Sequence, residues 1–151
     1  MSNWTTITDA AVTASKNGLL LAKVRSTAST QGIGDPLPEI VADVVATIRA
    51  RCSTGNQLDA DPSKIPNSLK GLALRMITRS LKDWIQMPLT ADESKKAEED
   101  SSYLNRIMDN KVRFETPDTP SGGAEMQSAG SIEITNVSDR FASRQTMNGL
   151  L

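Results

Sequence analysis

The chain has 151 residues, 38% of them hydrophobic, with two Trp, one Tyr, two Phe, one Cys and no His. Its 17 basic and 18 acidic residues leave a net charge of -1. These numbers exclude histidine-dependent nucleophilic catalysis, histidine metal ligation, an internal disulfide and a cysteine-rich zinc site. A near-neutral chain also lacks the excess of Lys and Arg that general electrostatic binding of nucleic acid requires. No basic stretch leads into an apolar run at the N-terminus, so no signal peptide is expected. The purely apolar run Leu19 to Ala22 is far short of the ~20 residues that cross a bilayer. The expectation is a soluble intracellular protein with no cofactor, no metal, no membrane partner and no enzymatic role.

Residues 1–35 are rich in Ser, Thr and Ala and carry an apolar cluster at Leu19, Leu20, Leu21 and Val24. One or two short helices are expected there. Thr8 or Asp9 caps the first, Asn17-Gly18 interrupts it, and a second covers Leu19 to Ala28. The next helix runs from about Pro36 to Ser53. Its stripe is Ile40, Val41, Val44, Val45, Ile48 and Cys52. Asp35 precedes a first-turn proline, and Gly55-Asn56 supplies the stop.

The strongest periodicity lies between Pro66 and Ile85. Leu69, Leu72, Ala73, Met76, Ile77, Leu81, Trp84 and Ile85 follow the i, i+3, i+4, i+7 spacing of one buried stripe. Pro66 suits a first helical turn. Gly71 weakens that helix or lets a neighbour approach. Thr90-Ala91-Asp92-Glu93 reads as a capping box opening a helix to about Met108. Asp109-Asn110 breaks it, and the alternation of Val112 and Phe114 with Arg113 and Glu115 predicts a short strand. The fold class expected is mainly α: a small bundle of three to five helices with a short β segment and an extended C-terminal arm. The expected organisation is an N-terminal segment over 1–35, a helical core over 36–116 and an arm over 117–151. Between Asp118 and Ser131 the only large apolar residue is Met126, and Ser121-Gly122-Gly123 is a spacer. Such a stretch cannot bury enough surface to order itself, so contacts with other chains are expected to hold it.

Several constellations have two readings. Asp59-Ala60-Asp61 is a carboxylate pair, but a calcium loop counted from Asp59 would need Gly and Glu where Lys64 and Lys70 stand. Turn chemistry before Pro62 is the simpler reading. Arg75, Arg79 and Lys82 form a basic stripe opposite the buried face. It is a solvated face, a phosphate-binding face as in a small helical nucleic-acid-binding protein, or a set of inter-subunit or channel charges facing Glu98 to Asp100. Cys52 sits on an apolar stripe and reads as an inert core thiol. Trp4 and Phe141 lie in sparse terminal segments, and each either anchors on a neighbouring subunit or packs back on its own domain. Ile132-Glu133-Ile134 alternates like a strand that could add to an exposed sheet edge.

The order of elements, Ile65-Pro66-x-x-Leu69, and the run Tyr103-Leu104-Asn105-Arg106-Ile107-Met108-Asp109-Asn110-Lys111-Val112 together resemble the head–tail adaptor (connector, or head-completion) proteins of tailed bacteriophages, including the Mu-like prophage type. The ending Ser138-Asp139-Arg140-Phe141-Ala142-Ser143-Arg144 through Gly149 is similar to the arginine–phenylalanine–arginine–glycine ending of some members. The longer N-terminus and the loop Asn56 to Lys64 depart from the pattern. The resemblance implies a virion structural protein that forms a ring, usually of twelve subunits, beneath the portal protein. Such a ring extends the DNA channel and docks a stopper or tail-completion protein. It implies a place in the virion neck, reached from the host cytoplasm during assembly. DNA would pass without specific binding, and Ile132, Ile134, Arg140, Phe141 and Arg144 would join Trp4 as partner-contact residues.

Overall fold

A computed structural model describes residues 1–120, and the architecture is mainly helical with one short two-stranded sheet. In chain order the elements are strand β1 (Trp4–Thr6), helix α1 (Asp9–Val12), a π-type turn (Thr13–Asn17) and α2 (Gly18–Thr30). Then come α3 (Leu37–Cys52), β2 (Lys64–Pro66), a 3-10 turn (Asn67–Leu69), α4 (Lys70–Trp84) and α5 (Ala91–Met108).

Helix α4 is the centre of the packing because its apolar spacing gives one continuous stripe. Leu72, Ala73, Ile77 and Leu81 are buried. Each large side chain among them contributes about 1.5–3 kcal/mol by leaving water. Against this stripe lie Val44, Ile48 and Cys52 of α3 and Leu21 and Val24 of α2, while Leu104 and Ile107 of α5 join the same core chiefly by way of α3. Gly71 faces outward, with only the Arg75 guanidinium near the place a Cβ would take, so it serves no close packing.

The helix ends follow from local chemistry. Thr8 Oγ1 accepts from the Ala11 N–H at 3.2 Å, and Asp35 Oδ1 accepts from the Leu37 N–H at 3.1 Å. The capping box at α5 is complete: Thr90 Oγ1 accepts from Glu93 N, and Glu93 Oε2 accepts from Thr90 N. Helices α4 and α5 both close with paired backbone bonds around a left-handed residue. At α4 this is Gln86 (φ 54°), with Met87 N donating to Lys82 O. At α5 it is Asn110 (φ 57°), with Lys111 N donating to Arg106 O.

Several expectations are corrected. The sheet is formed by β1 and β2, antiparallel, with Trp4 opposite Pro66, Thr5 opposite Ile65 and Thr6 opposite Lys64. Pro66 is therefore a strand residue and not the first turn of α4. Neither edge of a two-stranded sheet needs its missing N–H. Val112 and Phe114 form no strand; both are half-buried against the core, with no second strand beside them. The core does not begin at Pro36. Ile7, Val12, Leu21, Val24 and Ala28 are buried, so residues 1–35 belong to the same compact unit as α3–α5. Of the leucine cluster, Leu21 faces the core while Leu19 is exposed.

Candidate functional site

Three surfaces hold the residues singled out in the sequence. The first is the α4–α5 seam. Arg75, Arg79 and Lys82 stand on one face of α4 at i, i+4 and i+7. Asp100 and Glu93 stand seven residues apart on α5, so the two antiparallel helices meet charge to charge. Arg75 donates to Asp100 through Nε (3.1 and 3.2 Å) and Nη2 (2.5 Å). Arg79 Nη1 donates to the other Asp100 oxygen at 2.8 Å, and Lys82 Nζ donates to Glu93 Oε1 at 2.5 Å. Asp100 is buried. Burial by itself raises its pKa, but the Arg75 and Arg79 guanidinium groups outweigh that and hold the carboxyl below the usual aspartate value. Glu93 is pulled down to about 2, first by Lys82 and then by the Thr90 N–H. The three cations expected to act between subunits, in a channel or on phosphate are thus paired within the chain.

The second surface joins the two ends of the domain. The Asp118 carboxylate accepts from Asn3 N (2.8 Å), from Trp4 N (3.2 Å) and from the Ser2 hydroxyl. Trp4 is buried, its Nε1 donates to Glu115 O at 3.0 Å, and the Arg49 guanidinium lies 5.8 Å from the centre of its ring. Trp4 therefore packs on its own domain and does not serve as an anchor on a neighbour. Buried Asp59 holds the next turn: its carboxylate accepts from Asp61 N and Thr119 N, each at 3.0 Å, while Thr119 O accepts from Ala60 N. Ser2 and the two amide donors of Asp118 hold that carboxyl below the ordinary aspartate value. The Thr119 and Asp61 amides, against the penalty of desolvation, do the same for Asp59. Residues 117–120, expected to open the arm, are instead laced to β1 and to the Asp59 turn. The Asp59–Asp61 pair does turn chemistry. Among the described residues no group of three or more metal-ligating side chains is assembled.

The third surface was not anticipated. Pro38, Val41, Ala42, Val45 and Ala46 of α3, with Ile7 and Pro62, line an open groove of about 550 Å³. Arg49 closes one end, donating to the carbonyls of Asp59 (2.8 Å), Asp61 (3.0 Å) and Lys64 (2.7 Å). A signal for it existed in the sequence. Counting the alanines, the apolar arc of α3 wraps more than half way round the helix, wider than one core face requires.

Cys52 is buried, and burial pushes its thiol up to about 12, which leaves it inert as expected. Ile132, Ile134, Arg140, Phe141 and Arg144 lie outside the described residues. Comparison with family models, with curated proteins and with solved structures gives no match.

Proposed function

We propose that this chain is a head–tail adaptor subunit of a tailed bacteriophage, assembling as a ring beneath the portal and docking the next neck component. The observation that carries the reading is the apolar groove on the outward side of α3, a face that the described part of the chain leaves open. Valine, alanine and proline together there offer the dry surface that a ring subunit needs for its neighbour. The order of helices and the signature residues around Pro66 and Tyr103–Val112 support the phage assignment. A near-neutral chain in which Arg75, Arg79 and Lys82 are engaged by Asp100 and Glu93 also suits a channel that DNA must leave freely, since tight phosphate binding would oppose ejection.

The test is electron microscopy of the full-length protein mixed with the portal protein of the same phage. A closed ring with a central channel seated on the portal is expected. Full-length protein that neither forms rings nor binds the portal overturns the assignment.

A further inference from the structure

Residues 115–120 lie over the N-terminal strand with little apolar surface to hold them. Glu115 and Pro117 are half-buried, while Thr116, Asp118, Thr119 and Pro120 are exposed. Their hold is polar. Besides the grip of Asp118 on residues 2–4, Trp4 Nε1 donates to Glu115 O at 3.0 Å and Asn3 Nδ2 donates to Thr116 O at 3.4 Å. One residue on from Asp118, Thr119 N donates to the Asp59 carboxylate at 3.0 Å, and Thr119 O accepts from Ala60 N at 2.6 Å. The pieces on either side have anchors of their own. Residues 2–4 are tied to the β2 side, where Asn67 N donates to Asn3 O at 3.0 Å and Asn67 Nδ2 donates to Ser2 O at 2.6 Å. The Asp59 turn is tied to α3 by Arg49, which donates to the carbonyls of Asp59, Asp61 and Lys64. Phe114, just before the segment, packs against the core.

We propose that residues 115–120 are a strap latched by Asp118 and Asp59, which opens as one unit while the helical core stays folded, and opens more readily in acid. A segment that buries little apolar surface, and whose hydrogen bonds reach solvent, opens at lower cost than the core. Opening is cooperative because Asp118 and Thr119 are consecutive: when one bond set lets go, the next residue loses the neighbour that positions it. Acid acts through the two carboxyls, both held below the ordinary aspartate value of 3.8 in the closed form. The open form therefore binds protons first, and the latch weakens as the pH falls below about 4. Lys64 of β2 favours the charged form of both carboxyls, and the Asp118 charge disfavours that of Asp59. Arg49, Asp61 and Glu115 also stand around the strap, Glu115 accepting from the Ser68 hydroxyl. Opening uncovers a set of donors: the Trp4 indole N–H and the amides of Asn3, Trp4 and Ala60.

Amide hydrogen exchange of the full-length protein, read residue by residue by NMR and corrected for intrinsic chemical rates, tests this. The Asn3, Trp4, Ala60 and Thr119 amides are expected to share one opening equilibrium and to exchange at least about tenfold faster than the slowest amides of α3 and α4. Protection equal to that of the slowest α4 amides would mean that the ends open only with the whole domain, and overturns the strap. Asp118→Asn keeps the shape of the side chain and removes its charge. It should speed all four amides by about tenfold or more, including Ala60 and Thr119, which Asp118 does not touch. A change at Asn3 and Trp4 alone overturns the single unit, and no change at any of the four overturns the latch. Ser2→Ala, which removes one hydroxyl donor to Asp118, is the milder variant: it should act on the same four amides to a smaller extent, with the same outcomes counting against the proposal. Between about pH 6 and about pH 3.5 the opening equilibrium should rise in the unaltered protein and rise less in Asp118→Asn; equal slopes overturn the acid response.

Discussion

Asp100 and Asp118 each tie together distant pieces of chain, but to different kinds of donor. Asp100, on α5, is gripped by two arginine side chains from α4. Asp118 is gripped by two backbone amides and a serine hydroxyl from residues 2–4, and nearby Asp59 works through backbone amides too. The arginine grip joins two helices that both pack on α3, so it adjusts a placement that burial against α3 has made. The amide grip holds the terminal layer, where the sheet has only three residue pairs and the ladder alone would not persist. Charge between α4 and α5 trims a placement that α3 already sets; charge at the terminal layer fixes where the two ends of the domain meet.

This contrast can be broken from either side. The largest effect is expected at Trp4, the apolar centre of the terminal layer. Trp4→Ala removes a buried indole and its bond to Glu115, and should lower stability by about 3–5 kcal/mol in thermal or urea unfolding. A near-neutral result would mean that the terminal layer is a surface addition. Asp100→Ala should cost less, about 1–3 kcal/mol, because Arg75 is half-exposed and recovers its hydration when the carboxylate is removed. A loss as large as that of Trp4→Ala would show that the seam depends on charge and not on Leu104 and Ile107.

The smallest effect is a pH dependence. Glu93 titrates at about 2 in the folded protein against 4.5 in a model peptide. Between those values the unfolded chain binds the extra proton, so stability is full above about pH 4.5 and falls as the pH drops toward 2. Glu93→Gln should flatten that part of the acid-unfolding curve, leaving the decline that comes from Asp59, Asp100 and Asp118. An unchanged curve would show that the Lys82–Glu93 pair is silent in solution.

Much of the helical core was legible because its signals are local. The stripe of α4 and the Thr90–Glu93 capping box need no partner to be read, and Cys52 sits on a periodic face whose inward direction follows from its neighbours. The candidate surfaces were less legible. The basic stripe Arg75–Arg79–Lys82 could be seen, but not that Asp100 and Glu93 of the same chain would meet it. Trp4 in a polar segment gave no local reason to be buried. Its place depends on Pro66, 62 positions away, and on Asp118, more than a hundred residues on.

Taken alone, the sequence determined the class of the molecule. Periodicity and caps set the helices, since they are properties of residues a few positions apart. The absence of histidine and the single cysteine set which chemistries it cannot perform. Only the tertiary structure decided how the ends are joined and which charges are used up. Strand pairing between β1 and β2, the amide grip on Asp59 and Asp118, and the groove on α3 all bring together residues from separate parts of the chain. Contacts of that kind depend on where the core places each segment, and a pattern in a local window carries no record of it.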